Sequence, residues 1–549
     1  MSHRKSLKLH EIEDELEQWD DAQDVYIEPP EVAEYTDEDS ADEDSGGFID
    51  NLTGRQLLAT AEIVTRRTSF EETEDEVTAH GPAKKRKVSY KWKKADLPDL
   101  PSTEFETTIS QDYEGKTCTD MFELFFDEGV CQFLIDQTTK YALFLNCPDP
   151  RINIAELKCF FAILIVSGYN KLPSKKSYWE TGDDMRNSLV SNAMRRDKFI
   201  QIMRFVHASD NTQLNKNDRM SKLRPLMNVL KNKFLEHIPI EQDLNYDESM
   251  IEYYGRHGCK QCIRNKPIRF GYKAWCLNSV SGYLANFEVY QGSIPGSNLE
   301  HEQKFGKATA PMLTMINELP LAMRTQKLRF YFDNLFTGIP LLMHLKKMGY
   351  GGTGTLRQNR LPKECPIAKV ETMKKRERGS YEYASQGDVV VARWMDNSVV
   401  TVASTDHKVH PLGTASRYSK ACKQKIKIPR PHLIGAYNQS MGGTDLMDAH
   451  INNYRIGIRS KKWWWPIFTW LIDVSVNNSW ILMRKSGRNI SQLDFRREIA
   501  QTYLKKYANP PKAGGRPSTS QFGGRILEGV RREKYATVKV TATKWVGGG

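Results

Sequence analysis

Two aspartates stand directly after short runs of residues that are typical of β-strands. Asp247 ends the run Leu244-Asn-Tyr-Asp247, and Asp333 ends the run Arg329-Phe-Tyr-Phe-Asp333. A carboxylate at the inner end of a strand is partly buried, and a metal ion can supply the charge that compensates it. These two contexts therefore predict acidic groups that are positioned for chemistry at the ends of strands.

A third acidic context follows a pair of glycines, in Met441-Gly-Gly-Thr-Asp445-Leu-Met-Asp448. If a helix begins after Gly443, Asp445 and Asp448 are three residues apart and share one face of it. The alternative is that these aspartates only cap helices or close turns, and Asp445 in particular is suited to cap a helix.

Aspartates from distant segments suit the cleavage of phosphodiesters. Mg²⁺ prefers hard oxygen ligands and few protein carboxylates, which leaves room for water and substrate. Two such ions, about 3.5–4 Å apart, can activate the attacking oxygen and stabilise the leaving one. Aspartates in the contexts of Asp247, Asp333 and Asp445 could hold such a pair of Mg²⁺ ions, for which Mn²⁺ can substitute, although capping or turn aspartates are the usual explanation.

Charge is distributed unevenly along the 549 residues. Residues 1–80 carry a formal net charge of −18, and because the whole chain is at +11, residues 81–549 carry +29. A body this basic attracts polyanions, of which nucleic acid is the commonest, although a merely soluble basic surface is the alternative. Hydrophobic residues make up 39% of the chain, which excludes global disorder.

The nine cysteines and the apolar runs predict an intracellular protein without membrane spans. The cysteines show no disulfide framework, and no run approaches the roughly 20 apolar residues that a bilayer requires. A single Cys259-Lys-Gln-Cys262 pair is a weak zinc signal, and zinc is not expected. The segment Pro82-Ala-Lys-Lys-Arg-Lys-Val88 resembles a nuclear localisation signal, carried by Lys84, Lys85, Arg86 and Lys87.

Hydrophobic periodicity changes near residue 246. Before it, residues 95–245 predict helices, including Ile154–Gly168, Asn192–Ala208 and one that starts at Pro225. After it, Phe270–Leu277, Gly282–Gln291 and Lys327–Phe332 predict strands, and Pro340–Lys347 a helix. An acidic residue between a strand and a helix is where α/β proteins place their chemistry.

Residues 357–429 predict a β-rich insertion with basic, DNA-facing charge. Asp388–Trp394 and Ser398–Ser404 predict a hairpin. After Tyr454 helices are expected at Trp463–Met483 and Ser491–Lys506, with Ser491 as a cap. Both ends of the chain predict tails, the first acidic and solvated, the last Pro/Gly-rich and basic.

Five ordered motifs resemble the piggyBac transposase family, in particular vertebrate proteins derived from piggyBac elements. The resemblance covers about residues 95–510. Its motifs are Tyr246-Asp-Glu-Ser-Met250, Gly255-Arg-His-Gly258 with Asn265-Lys-Pro-Ile-Arg-Phe-Gly-Tyr-Lys273, Phe332-Asp-Asn-Leu-Phe-Thr337, Tyr437-Asn-Gln-Ser-Met-Gly-Gly-Thr-Asp445, and Lys461–Pro466.

The resemblance implies an α/β fold with an RNase H-like catalytic core that a β-rich insertion splits. A helical dimerisation and DNA-binding domain would form from the flanking segments. The expected divisions are an acidic, disordered tail with the nuclear signal (1–94), the first helical segment (95–245), the first core segment (246–356), the insertion (357–429), the second core segment (430–454), the second helical segment (455–510), and a flexible basic tail (511–549). Family members commonly end in a Cys/His-rich zinc module, whereas no cysteine follows Cys422 here.

By position, the resemblance implies that Asp247, Asp333 and Asp445 are the catalytic aspartates and that Asp448 is a fourth, supporting acid. Two further sets of residues are candidates for DNA contact. Lys266, Arg269 and Lys273 are candidate phosphate contacts, with solvated surface as the alternative. Trp465 would pack against DNA or order the site, with a core position as the alternative.

The implied function is metal-dependent DNA transposition in the nucleus. The resemblance implies a homodimer that acts on terminal inverted repeats in double-stranded DNA, excises through hairpin ends and inserts at TTAA sites. A non-catalytic nuclear DNA- or chromatin-binding protein that keeps the transposase fold is the main alternative. An RNA-directed nuclease is less favoured by the motifs.

Overall fold

The computed structural model describes the backbone of three short N-terminal strands and most of the chain from residue 91 to residue 509. The described residues are 7–8, 22–27, 60–65, 91–98, 105–106, 113–255, 257–263, 268–292, 299–419 and 422–509.

Helices dominate both flanks of the described chain. They are α1 (Cys118–Glu123), α2 (Glu128–Phe144), α3 (Ile154–Tyr169), α4 (Ser188–Ala193), α5 (Arg196–Phe205), α6 (Arg224–Glu236), α7 (Leu299–Phe305), α8 (Ala310–Glu318), α9 (Leu321–Arg324), α10 (Ile339–Lys347), α11 (Val370–Lys374), α12 (His432–Ser440), α13 (Gly443–Asn453), α14 (Trp465–Lys485) and α15 (Gln492–Lys506). Short 3₁₀ turns lie at Ser177–Trp179 and Gln358–Arg360.

Strands form one large mixed sheet and one separate hairpin. They are β1 (Leu7–Lys8), β2 (Ala22–Ile27), β3 (Thr60–Thr65), β4 (Asp243–Glu252), β5 (Gln261–Cys262), β6 (Phe270–Ser279), β7 (Leu284–Val289), β8 (Arg329–Phe332), β9 (Gly351–Thr355), β10 (Tyr381–Gln386), β11 (Val389–Met395), β12 (Val399–Ser404), β13 (Gly413–Ser419) and β14 (Gln424–Arg430). The α/β class expected from the sequence is confirmed.

The centre of the sheet has the strand order β7-β6-β4-β8-β9. β4 pairs antiparallel with β6 and parallel with β8, and β8 pairs parallel with β9. β4 is thus an inner strand with neighbours on both sides, and eight of its ten residues are buried. Helices on both faces bury such a strand, which explains its nearly continuous burial.

Local sequence signals fix most helix starts. Asn153 and Thr117 form capping boxes at α3 and α1, and Asp127 caps α2. Ser491 accepts the amide hydrogen of Asp494 at the start of α15, as predicted. The predicted helices near Ile154, Pro225, Pro340 and Trp463 are present, with ends that differ by a few residues.

One predicted helix is divided in the structure. In place of one helix over Asn192–Ala208, α4 ends at Ala193 and α5 begins at Arg196. Met194 between them has extended backbone torsions, and its carbonyl accepts a hydrogen bond from Trp179 Nε1 at 2.7 Å. The periodic pattern continued across the break because Met194 is buried on the same side as the α5 core residues.

The predicted insertion does not form a β module apart from the main sheet. β12 pairs antiparallel with β9 through Val402–Thr355, Ala403–Gly354 and Ser404–Thr353, so β10–β12 extend the large sheet. Within the described chain, only the β13–β14 hairpin is a separate sheet. The predicted β11–β12 hairpin is confirmed.

Three strands lie within the segment for which the sequence predicts a disordered acidic tail. β2 pairs with β3, and Val25 of β2 pairs with Cys262 of β5. β2 and β3 contain β-branched and aromatic residues such as Val25, Tyr26 and Ile63, which favour strands. Parts of the predicted tail therefore have secondary structure. No described helix is both long enough and apolar enough to cross a bilayer.

A buried ion pair ties the C-terminal helices to the segment after α13. Arg496 of α15 donates through Nη1 to Asp473 Oδ1 of α14 at 2.7 Å and to the Tyr454 carbonyl at 3.0 Å. The second oxygen of Asp473 accepts the Ile456 amide hydrogen at 3.1 Å. Both ionic side chains are fully buried. The pair thus joins α14 and α15 to each other and to the segment that follows α13.

We predict that Arg496→Met lowers the free energy of unfolding by about 3–5 kcal/mol, because it leaves the Asp473 carboxylate buried without its cation. The double variant Asp473→Leu/Arg496→Met should recover most of the loss, since no charge remains buried. Urea denaturation followed by circular dichroism measures both. A double variant as unstable as the single one would contradict this account.

Candidate active site

Asp247 and Asp333 lie next to each other on two parallel central strands. The pairing of β4 with β8 runs in register from Asp243–Arg329 to Tyr246–Phe332, and each aspartate is the next residue along its chain segment. Asp333 directly follows β8, as the sequence predicts, whereas the prediction is wrong for Asp247, which lies in the middle of β4 because this strand continues to Glu252. Asp247 is buried and Asp333 is partly exposed.

The face of β4 that carries Asp247 is covered by α13. Residues alternate between the two faces of a strand, so Asn245, Asp247 and Ser249 point to the same side. Asn245 Oδ1 accepts hydrogen bonds from the Thr444 amide at 3.0 Å and from its hydroxyl at 2.9 Å. The Ser249 hydroxyl donates to Asp448 Oδ1 at 2.6 Å. The first turn of α13 is thereby fixed over Asp247.

Glycine permits this close approach of α13 to the sheet. A Cβ atom at Gly443 would lie 2.1 Å from Asn245 Nδ2 and 2.2 Å from the Ser279 carbonyl oxygen. Both contacts are far inside van der Waals distance, and one of them is to backbone. A Cβ atom at Gly442, one residue earlier, would have no heavy atom within 4 Å. Only the second glycine of the pair is therefore required by packing.

A second helix layer supports α13 from its outer side. Asn477 of α14 donates to the Gly282 carbonyl in the β6–β7 turn at 2.9 Å, and its Oδ1 lies 3.1 Å from His450 Nδ1 of α13. Asn478 makes paired hydrogen bonds with the backbone of Leu284 in β7. These buried amides explain why a strongly apolar helix carries two asparagines.

Tyr437 of α12 lies close to three of the aspartates. Burial raises the pKa of its phenol, and the negative charges of Asp333, Asp247 and Asp445 raise this pKa further. The phenol also makes a hydrogen bond with the side chain of Thr355 at the end of β9. The phenol therefore remains protonated at neutral pH and is available as a hydrogen-bond donor at the site.

Cys276 of β6 is affected by the charges of both Asp448 and Asp247. Burial raises the pKa of its thiol, and the charges of Asp448 and Asp247 raise it further. Cys276 is the direct partner of Asp247 in the β4–β6 register. Asp448, which accepts a hydrogen bond from Ser249, lies over the face of β4 that carries Asp247, and we call the four predicted acids the carboxylate site (Asp247, Asp333, Asp445 and Asp448).

Hydrogen bonds to the local backbone orient two of these carboxylates. Asp333 Oδ1 accepts the amide hydrogen of Leu335 at 2.8 Å, which closes the turn after β8. Asp247 Oδ1 accepts the amide hydrogen of Glu248 at 2.8 Å. The side chain of Asn334 accepts a hydrogen bond from Arg357 Nε at 2.9 Å, which connects this turn to the segment after β9.

The carboxylate site has the donor chemistry of a Mg²⁺ site, but not a preformed cluster. No set of three or more His, Cys, Asp or Glu side chains in the described chain is close enough together to hold a metal ion. Mg²⁺ is usually bound through one or two carboxylates, with water and substrate phosphate as the other ligands. The hard oxygen donors of Asp247, Asp333 and Asp445 are compatible with that mode.

The residues that the sequence predicts to contact DNA are not gathered at the carboxylate site. Lys273 is fully buried, with its ammonium 4.3 Å from the ring centroid of Trp275. In the β4–β6 register it is opposite Met250, on the face of β4 away from Asp247. Arg269 is exposed. Lys266, like the nuclear signal at Lys84, Lys85, Arg86 and Lys87, lies outside the described residues.

Trp465 occupies the core position that the sequence left open as its alternative. It is 2% exposed, and its Nε1 donates to the Ile458 carbonyl at 2.8 Å. Its ring packs against Phe160 of α3 and Phe468 of α14. In this structure Trp465 therefore joins the two helical segments that flank the sheet.

Several residues of the site were not singled out from the sequence. Tyr437, Thr444 and Ser249 all lie inside motifs that carry the family resemblance, and that position was the available signal. Asn245 had no signal apart from its nearness to Asp247. Their roles depend on contacts with residues far away in the chain.

Comparisons with known proteins agree with this fold. A family profile described as Transposase IS4 matches residues 117–480. Human PiggyBac transposable element-derived protein 3 is 38% identical over 552 residues, covering 95% of this chain and 92% of that protein. Human PiggyBac transposable element-derived protein 2 is 35% identical over 508 residues, covering 90% and 84%.

A solved structure extends the agreement to three dimensions. The cryo-EM structure of a piggyBac transposase synaptic complex with hairpin DNA matches with a TM-score of 0.57 at 19% identity, covering 79% of this chain and 87% of that one. The fold and the matched profile define a transposase-type protein. The chain belongs to the family of piggyBac transposable element-derived proteins.

Proposed function

We propose that this protein is a metal-dependent DNA transposase of the piggyBac type, which cleaves DNA and transfers strands at TTAA sites. The observation that carries the proposal is the parallel β4–β8 register, in which Asp247 and Asp333 are the next residues after the last registered pair, together with the hydrogen bonds that hold Thr444 and Asp448 of α13 to β4. These contacts support a site to which acids from three separate chain segments contribute.

The central strands support an RNase H-like core. The order β7-β6-β4-β8-β9, with antiparallel pairing up to β4 and parallel pairing after it, is one continuous five-stranded unit. In this proposal the first catalytic acid lies on its central strand and the second follows the adjacent strand. The segment from β10 to β14 is the insertion, and the flanking helices form the dimerisation and DNA-binding domain.

Bound Mg²⁺ would neutralise charge on the scissile phosphate and assist deprotonation of the attacking oxygen. Asp247, Asp333 and Asp445 would hold it. The Ser249 hydroxyl keeps Asp448 oriented towards the same region. The chain itself supplies position, because phosphoryl transfer depends mainly on in-line alignment and on stabilisation of charge.

The proposed reaction has four in-line displacements at phosphorus, one of which is the opening of the hairpin by water, which regenerates the 3′-hydroxyl. Water first cleaves one strand and leaves a 3′-hydroxyl. That hydroxyl then attacks the opposite strand, which forms a hairpin end and releases the flanking DNA. After the hairpin is opened, the 3′-hydroxyl attacks a TTAA target. A homodimer on terminal inverted repeats in the nucleus belongs to the proposal, and the DNA in the matched synaptic complex supports DNA as the substrate class.

The second candidate function is non-catalytic binding of DNA or chromatin. One observation favours it, namely that the described acids do not form a preformed three-ligand cluster. Both functions predict salt-sensitive DNA binding, because both depend on neutralisation of phosphates. They differ only in cleavage.

An excision assay separates the two functions. A marked element with TTAA-flanked ends is tested with the wild-type chain and with the triple variant Asp247→Ala/Asp333→Ala/Asp445→Ala, and several end sequences are compared. The transposase proposal expects nicks with 3′-hydroxyls and hairpin ends from the wild type alone. Binding without nicking on every end would select the non-catalytic function.

We further predict that Tyr437→Phe lowers cleavage by about 10-fold to 100-fold and raises the Mg²⁺ concentration needed for half-maximal rate, because groups that support metal ligands typically have effects of this size. Since the phenol is protonated at neutral pH, the pH profile should keep its shape. Tyr381→Phe is the matched control, since Tyr381 packs against the same hydrophobic cluster as Tyr437 and its hydroxyl lies 3.4 Å from His410 Nε2. An unchanged Mg²⁺ dependence in Tyr437→Phe would exclude the phenol from the site.

A further inference from the structure

The β13–β14 hairpin, which we call the basic ribbon (residues 413–430), lies in a stretch without acidic residues. Between Asp406 and Asp445 the sequence contains no Asp or Glu and seven Lys or Arg. Four of these lie in the described part of the ribbon before its last residue: Arg417, Lys423, Lys425 and Lys427. Positive charge in this stretch of the chain is therefore not balanced by local acids.

One face of the basic ribbon is fully exposed. The antiparallel register pairs Ser416 with Lys427 and Tyr418 with Lys425, and directly opposed residues share a face. All four side chains are exposed, and Tyr418 is 58% exposed. Neither Lys425 nor Lys427 has an ion-pair partner among the described residues. This outward face thus combines two lysines with hydroxyl groups and an aromatic ring.

The opposite face fixes the ribbon to the body of the protein. Ala415 and Ile428 are buried against Leu433 and Ile434 of α12. The Trp394 side chain donates through Nε1 to the carbonyl of Pro429 at 2.8 Å. The ribbon is therefore held by a packed core and does not depend on its strand pairing alone.

Arg417 lies on the opposite face of the ribbon from Ser416 and Tyr418 and is held there by an ion pair. Arg417 donates through Nε to Asp396 Oδ2 at 3.0 Å, and Arg378 contacts the same carboxylate. These contacts hold β13 to the β11–β12 turn. Arg417 therefore acts as an anchor, while Lys425 and Lys427 face solvent.

The dimensions of the ribbon suit the major groove of double-stranded DNA. Paired strands lie about 4.8 Å apart, and seven residues extend over about 23 Å. The major groove is about 12 Å wide and admits a two-stranded ribbon, whereas the deep, narrow major groove of duplex RNA does not admit protein elements. Lysine ammonium groups on the ribbon face would meet the phosphates that line the groove.

We propose that the exposed face of the basic ribbon docks in the major groove of double-stranded DNA, with Lys425 and Lys427 at the phosphates. This inference deepens the proposed function and rests on DNA as its substrate. α12 begins two residues after Arg430 and carries Tyr437 at the carboxylate site. DNA held on the ribbon is thereby connected through one short helix to the aspartates.

Cys422 reports directly on occupancy of the ribbon. It is the exposed cysteine in the turn between β13 and β14, whereas Cys147 at the end of α2 is partly exposed and serves as an internal control. The Asp247→Asn protein is treated with a maleimide in EDTA, with and without a DNA duplex of about two helical turns. DNA should slow alkylation of Cys422 in proportion to the bound fraction and leave Cys147 unchanged.

Equal protection by duplex RNA of the same length would indicate attraction to any polyanion and would overturn groove docking. An unprotected Cys422 in a protein that binds DNA, or failure to bind DNA at all, would also overturn it. The alkylation assay requires no cleavage, so it is independent of a nicking assay on the wild-type protein. Protection of Cys422 without nicking by the wild type would retain the ribbon and reject the transposase function. Nicking by the wild type without protection of Cys422 would retain the transposase function and reject the ribbon.

Charge removal gives an independent measurement. Lys425→Gln/Lys427→Gln should reduce the slope of log affinity against log salt by about 1.8, since each phosphate contact contributes ~0.9. The matched control Lys346→Gln/Lys347→Gln removes the same charge at the end of α10 and should leave the slope unchanged. Equal slopes for the two double variants would contradict a specific role for the ribbon.

Discussion

Asp247→Asn is expected to lower DNA nicking by on the order of 10²–10³-fold or more, since it weakens the binding of the Mg²⁺ that would stabilise charge at the reacting phosphate. The change keeps the volume of a buried side chain, so the packing under α13 is retained. Nicking of a supercoiled plasmid with TTAA-flanked ends, quantified on denaturing gels at saturating Mg²⁺, measures the loss.

Stability and DNA affinity should not fall together with nicking in Asp247→Asn. Asp247 is near other carboxylates, and removal of one negative charge relieves their repulsion. We therefore expect Asp247→Asn to unfold at the same temperature as the wild type or higher, and to bind duplex DNA at least as tightly. A loss of nicking together with loss of stability would indicate a structural role instead.

Asp388→Asn is the matched control for this experiment. Asp388 is an exposed acid in the turn between β10 and β11, far along the sheet from β4. It removes the same charge from the same sheet without a contact at the carboxylate site. Equal nicking by Asp247→Asn and Asp388→Asn would end the assignment of Asp247 as a catalytic residue.

Gly443→Ala is expected to lower nicking by about 10²-fold or more, because a displacement of about 1 Å at reacting groups has effects of that size. The added Cβ would overlap Asn245 Nδ2 and the Ser279 carbonyl, so the first turn of α13 must move away from β4 with Asp445. Overpacking of this kind also lowers the free energy of unfolding by about 1–3 kcal/mol.

Gly442→Ala is the adjacent control. It adds the same methyl group, has a φ of −81° that an alanine accepts, and meets no atom within 4 Å. It should retain wild-type nicking and stability. If both alanine variants behave alike, the close approach of α13 to β4 does not determine activity.

Features that depend on residues close together in the sequence were predictable, and features that depend on residues far apart in the sequence were not. The position of Asp333 was predictable because a strand followed by an acid is a local pattern, whereas β4 continues past Asp247; the strands at Phe270 and Arg329 formed as expected. The cap at Ser491 was predictable for the same reason. Each of these features depends on residues within about one turn or one strand.

Burial of particular side chains was less predictable. The sequence indicates that Lys273 lies in a strand, but it does not show which face of the sheet its side chain is on. Only the pairing of β6 with β4 places Lys273 on the face away from Asp247, where it is buried against Trp275. Trp465 could be a surface or a core residue until α3 packed against it. The division of α4 from α5 likewise depends on the Trp179 hydrogen bond to Met194.

The sequence by itself determined the acidic residue types, the local strands and helices around them, and the motifs that relate the chain to piggyBac transposases. The tertiary structure alone decided that β12 extends the sheet from β9, and that Thr444 is held by Asn245 across 199 residues of chain. The physical reason is that hydrophobic periodicity encodes only which side of an element is buried. Which distant element covers that side depends on packing and hydrogen bonds between segments that have no local signal for each other.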